Sequence, residues 1–174
     1  MRAALRNGVD GLVHTAFADS ATLAGLARRR VFMIPTMASL TTGDTSGAGR
    51  ALPAALLRAY RAGVPIVFGT DAGVIPHGSN ATEFSAMVRA GVTPADAMRS
   101  ATVNAARAWR LADSVGVVAR GMVADIVAVS GDPLVDLESM SRVQFVMARG
   151  RVVRGPLTSS SSVESRPSNP CCGR

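Results

Sequence analysis

The 174-residue sequence predicts a mixed α/β fold, in which repeated strand and helix units build a parallel sheet and a small all-strand segment follows. Three observations lead there. Short runs rich in Val and Ile alternate with longer helical patterns across the first 110 residues. After Leu111 the apolar period changes from about 3.6 to about 2. A composition of 48% apolar and 18% charged residues supplies one sizeable core and excludes a disordered chain.

The elements follow in order. Gly11-Leu12-Val13-His14 reads as the first strand. Asp19 or Ser20 caps the next helix, where Leu23 and Leu26 share a face and Arg28, Arg29 and Arg30 sit favourably at the negative end of the dipole. The second strand runs from Val31 to Thr36. Leu52, Leu56, Leu57 and Tyr60 then form an apolar helical stripe that ends at Gly63. Val64 to Gly69 is the third strand, and Asn80 with Glu83 opens a helix that stops at Gly91. Thr93-Pro94 caps a fourth helix running from Ala95 towards Trp109, with Met98, Ala101, Ala105 and Ala108 as packing residues. Beyond it, Val115, Val117 and Val118, then Ile126 to Val129, Phe145 to Met147, and Val152-Val153 read as strands between Gly and Pro turns. The expected segments are 1–112 (the parallel sheet), 113–155 (the strand-rich piece) and 156–174. The last, with four consecutive serines and three prolines, has little to bury and reads as disordered.

Several classes of chemistry are excluded. All 19 basic residues are Arg, so the chain offers no Schiff-base lysine, no phosphate-loop lysine and no carbamylated metal bridge. The longest apolar run, Val64 to Phe68, falls far short of the roughly 18 residues that cross a bilayer. Met1 to Asp10 breaks at Asn7-Gly8 before any signal-like apolar region, which points to a cytoplasmic protein with no membrane partner. Cys171 and Cys172 are adjacent, which fits neither a disulfide framework nor a zinc knuckle. A net charge of +7 with Arg28-Arg29-Arg30 would attract phosphate, but the arginines are spread along the chain and aromatics make up 4%. A nucleic-acid partner is not expected.

Two histidines exist. His14 stands at the carboxyl end of the first strand, the edge where parallel sheets keep their reactive groups, and Asp71 follows the third strand in Gly69-Thr70-Asp71-Ala72-Gly73. An imidazole and a carboxylate projected from different strand ends can converge on one divalent cation, with the carboxylate also placed to take a proton from water. Taken singly, each residue also suits an ordinary hydrogen bond or a turn. His77, in Pro76-His77-Gly78, either lines the same pocket and holds a substrate carbonyl or ties its loop to the backbone.

Four separated elements resemble the amidohydrolase superfamily, over about residues 1–155. They are Gly8-Val9-Asp10-Gly11-Leu12-Val13-His14, the Ile34-Pro35-Thr36 strand, the Gly-Thr-Asp-Ala-Gly segment with its Pro-His-Gly, and Gly116 to Val127 continuing to Gly131-Asp132-Pro133-Leu134. The branch it looks most like holds imidazolonepropionase-like enzymes and Xaa-Pro dipeptidases. That resemblance implies an α/β fold comprising the carboxyl-terminal part of a (β/α)8 TIM barrel, about three β/α units, plus part of a small β-sandwich. It also implies hydrolysis of amide, peptide or cyclic amide carbon–nitrogen bonds with a divalent metal, Zn2+ by preference, in a site of one or two ions. Small amide or dipeptide substrates come with it. His14 is similar to the ligand of the sixth barrel strand. Asp71 resembles the aspartate of the eighth, a metal ligand and general base, and His77 resembles the substrate-contacting loop histidine.

The departures matter equally. The family's first-strand H-x-H pair, fourth-strand lysine and fifth-strand histidine have no counterpart here, and the resemblance implies that Met1 falls just downstream of that fifth strand. The expected ligand set is therefore incomplete. Three barrel strands cannot close a cylinder, so a partner half-barrel chain, self-association or a longer gene is expected. A catalytically inactive half-barrel remnant is the alternative.

Overall fold

The computed structural model describes residues 1–41 and 47–155. The tail from 156 to 174, with Cys171 and Cys172 and the stretch read as disordered, lies outside the described residues. The chain begins with a short helix α1 (Arg2–Arg6), which the sequence reading does not anticipate, and β1 (Gly11–Val13) follows. Then come α2 (Ser20–Arg29), β2 (Phe32–Ile34), α3 (Met37–Thr41) and α4 (Ala48–Arg61).

β1 and β2 pair in parallel, Gly11 opposite Phe32 and Val13 opposite Ile34. The expected third strand is reduced to one bridge between Met33 and Ile66, in which the Met33 N–H donates to Pro65 O and the Val67 N–H to Met33 O, both at 2.9 Å. Proline explains the shortfall. The next rung would need an N–H from Pro35, which has none, and Pro65 is equally unable to donate. Close approach between strands requires small residues: a Cβ on Gly11 would lie 2.1 Å from the Phe32 ring, and one on Gly69 would lie 2.4 Å from Ile34 Cγ2.

The helices bury the sheet. Asp19 caps α2 by accepting the Thr22 N–H at 2.8 Å, as expected, and α2 ends at Arg30 in the left-handed region. Leu26, Met33, Leu52, Leu56, Met87 and Ala97 are fully enclosed and form one core. α4 places Leu52 and Leu56 in it, and Tyr60 reaches Asp96 Oδ2 with its hydroxyl. That bond, with Thr93 and Arg99, holds the Asp96 carboxyl below its ordinary range.

Two helix readings are corrected. α5 spans Thr82–Arg89, and its Glu83 does not serve the start of its own helix. The side chain turns inward, is fully buried, and accepts the N–H groups of Met37 at 2.9 Å and Ala38 at 2.7 Å. The single helix expected from Ala95 to Trp109 is two, α6 (Pro94–Ala101) and α7 (Val103–Ala108), broken at Thr102 with φ −123 and ψ −93. There the Thr102 hydroxyl donates to Met98 O, in competition with the main-chain ladder, and Asn104 Nδ2 donates to Ile66 O. The Thr93 cap and Pro94 at the first turn stand as expected.

Val115, Val117 and Val118 do not form a strand. Gly116 sits at φ +99, where a Cβ would meet Ala106 Cβ at 2.7 Å, and this close approach bends the run away from extended geometry. β3 (Ile126–Val129), β4 (Val143–Ala148) and β5 (Arg151–Arg154) form an antiparallel sheet in the order β3-β4-β5, with a 3₁₀ turn at Leu137–Ser141 between β3 and β4. Among the described residues no helix is long and apolar enough to cross a membrane.

Candidate functional site

The carboxyl ends of the three parallel segments share a backbone feature. His14 follows β1 at φ 53, Thr36 follows β2 at φ 50, and Asp71 follows the third segment at φ 55. His and Asp adopt this left-handed region with modest strain, whereas a β-branched Thr there is a genuine outlier. Strain of about 1–3 kcal/mol per residue persists where surrounding structure fixes it, and it clusters at sites that work on ligands.

The three side chains meet. Thr36 Oγ1 donates to Pro35 O at 2.7 Å, so it accepts from His14 Nδ1, also at 2.7 Å. The network thus assigns the imidazole proton to Nδ1. Nε2 turns its lone pair towards Asp71 Oδ2, 3.7 Å away, with both side chains nearly half exposed at 45% and 43%. That separation is too long for a good hydrogen bond. It suits two ligands of one cation: metal–ligand bonds of about 2.1 Å at a tetrahedral angle put donor atoms roughly 3.4 Å apart.

The expected pairing of His14 with Asp71 is therefore present in the geometry. His77 is exposed on the loop between Val74 and Asn80, and no hydrogen bond or ion pair joins it to either residue among the described residues. Thr36 has no assigned role in the sequence reading, although the Ile34-Pro35-Thr36 segment is recognised. Its position at the end of the middle strand is the signal that could have singled it out. Among the described residues no group of three His, Cys, Asp or Glu side chains gathers to hold a metal ion. His14 and Asp71 thus bring two donor side chains together, fewer than the three or more that a protein metal site normally supplies.

Comparison with known proteins agrees with this architecture. Residues 8–153 match the profile described as the Amidohydrolase family. Ochratoxinase from Aspergillus niger is 30% identical over 173 aligned positions, which cover 88% of this chain and 36% of that protein. The structure of a Xaa-Pro dipeptidase with methionine bound in its active site superposes with a TM-score of 0.84 at 30% identity, covering 88% of this chain and 42% of that one. The A. niger ochratoxinase structure gives 0.77 at 28% identity, with 89% and 39% covered. The chain thus spans well under half the length of these relatives.

Proposed function

The chain belongs to the amidohydrolase family, and from that premise we propose that it carries part of the active site of a divalent-metal-dependent hydrolase of carbon–nitrogen bonds. In this reading residues 1–112 are about three β/α units of a TIM barrel and residues 113–155 are a segment of its small β-sandwich. The substrate is an amide, a dipeptide or a cyclic amide. His14 through Nε2 and Asp71 through Oδ2 would hold the ion, Zn2+ by preference, and one or two ions would complete the site.

The observation that carries this reading is the 3.7 Å approach of His14 Nε2 to Asp71 Oδ2 with Nδ1 already engaged by Thr36. A divalent cation supplies charge that polarises a carbonyl and acidifies water. The chain's own residues do the rest. Thr36 keeps the imidazole from rotating and keeps its free lone pair on the site side. Asp71 takes a proton from the attacking water on its carboxylate and returns it to the leaving nitrogen. His77 contacts the substrate carbonyl or carboxylate once its loop is engaged.

A second reading is favoured by one observation, the gathering of only two ligand side chains among the described residues. In it the chain is inactive alone and is completed by an amino-terminal half-barrel or a second copy. Zn2+ titration followed by hydrolysis assays on amide and dipeptide substrates separates the two. Asp71→Asn is expected to weaken Zn2+ binding by more than the roughly 10- to 100-fold that loss of a mere outer-shell partner costs and to cut any hydrolysis by about 10²- to 10⁴-fold. Unchanged Zn2+ affinity removes Asp71 as a ligand, and metal binding without turnover selects the second reading.

A further inference from the structure

Glu83 carries a carboxylate that the proposed reaction does not use, and it is 0% exposed. Burial pushes its carboxyl up to about 7, against the opposing pull of the Ala38 and Met37 N–H bonds. A buried anion is expensive, and an apolar side chain of the same size commonly stabilises a protein as well or better. The bonds it makes are therefore the informative part. Its two oxygens bind the N–H groups of Met37 and Ala38, which follow Thr36 directly. On the other side of Thr36 stands Pro35, whose ring fixes its own backbone. The Thr36 carbonyl is held by the Ser39 hydroxyl at 3.0 Å. A β-branched residue at φ 50 is thus clamped from both directions, and its hydroxyl is the one that receives His14 Nδ1–H.

We propose that Glu83 is a positioning residue: by gripping the Met37 and Ala38 N–H groups it fixes the left-handed turn at Thr36, and through the Thr36 hydroxyl it sets the His14 imidazole with Nδ1 protonated and Nε2 facing Asp71. Its purpose rests on the reading of His14 as a ligand, but the relay of contacts does not. Glu83 lies in α5, 69 positions from His14, which follows β1, and touches neither His14 nor Asp71 in any hydrogen bond among the described residues.

The test reads the tautomer and needs neither metal nor substrate. Long-range ¹H–¹⁵N correlation spectra of the whole chain at pH 8 resolve the two histidines, with His77 as internal control. His14 is expected to be protonated at Nδ1. Glu83→Gln keeps the shape but turns a donor towards one of the two N–H groups. In that variant the ratio of Nδ1–H to Nε2–H tautomer at His14 should fall about tenfold, the factor carried by one ordinary hydrogen bond, while His77 stays unchanged. Thr36→Ala, which leaves the carboxylate and its partners in place, should give the same loss. Should Glu83→Gln fail to fold, Glu83→Asp keeps the charge but draws the carboxylate back by one methylene from the Met37 and Ala38 N–H groups, and it carries the same expectation. A folded Glu83→Gln or Glu83→Asp chain with an unaltered His14 tautomer overturns the proposal, as does an unaltered tautomer in Thr36→Ala. Because no hydrolysis is measured, that failure would leave the hydrolase reading standing, and a failure of the hydrolase reading would leave this one standing.

Discussion

The strand ends that carry His14, Thr36 and Asp71 and the antiparallel sheet β3-β4-β5 are built from similar residues yet are supported in opposite ways. Behind the first lie Leu26, Met33, Leu56 and Met87, all fully enclosed by helices. The second buries none of its apolar side chains fully: those of β4 are half-buried at most, Val127 is 59% and Val153 65% accessible, and every residue of β5 is exposed. An open apolar groove of about 550 Å³ separates α6 and α7 from this sheet, with Trp109, Val118 and Ile126 on its walls. A left-handed Thr and a buried carboxylate can be held only where packing is dense, because strain and desolvation must be offset by many contacts. The packed region can therefore hold side-chain directions closely, whereas the sheet relies on its own ladder and on the half-buried side chains of β4.

The comparison can be broken most forcefully in the core. Leu56→Ala is expected to cost about 2–5 kcal/mol in urea unfolding, with collapse of the His14–Thr36 contact as the chain loosens. A loss under about 1 kcal/mol would mean that the region is not packed as described. The next effect sharpens the contrast through pH. Glu83 has a folded value of about 7 against an ordinary 4.5, so the folded chain holds its proton more tightly than the unfolded one. The associated stability is fully present below about pH 4.5 and is lost as pH rises through 7, by up to roughly 3 kcal/mol. Urea midpoints measured from pH 5 to pH 8 should fall in the wild type and stay flatter in Glu83→Gln. An equal slope in both would place the titration elsewhere. The carboxyls of Asp96 and Asp136 are held below their ordinary range and act in the opposite sense, but in more acidic solution. The smallest effect belongs to the sheet: Val153→Thr should change stability by less than about 0.5 kcal/mol. A loss comparable to that of Leu56→Ala would show that something covers this face in solution.

Local chemistry made much of the architecture legible. Asp19 and Thr93 announce helix starts because a short oxygen-bearing side chain satisfies the first free N–H groups wherever a helix begins. The strand positions of Gly11–Val13 and Phe32–Ile34 follow from β-branched and apolar runs, and the candidate pair His14 and Asp71 follows from their places at strand ends. The less legible features depend on neighbours distant in sequence. Glu83 three residues after Asn80 is an ordinary way to open a helix, and nothing local distinguishes that use from its grip on Met37 and Ala38. The valines at 117 and 118 have strand propensity, but Gly116 packs against Ala106 and turns the chain.

By itself the sequence determined the order of elements, the residue types at the strand ends and the absence of lysine chemistry, because these depend on propensity, period and composition. The loss of rungs from the third strand traces to Pro35 and Pro65 in the sequence itself, whereas tertiary structure alone decided that the last long helix breaks at Thr102 and that Thr36 joins His14 to a buried acid. Those outcomes depend on which backbone N–H groups find partners across the fold, and a partner's position in space is not encoded in the few residues around it.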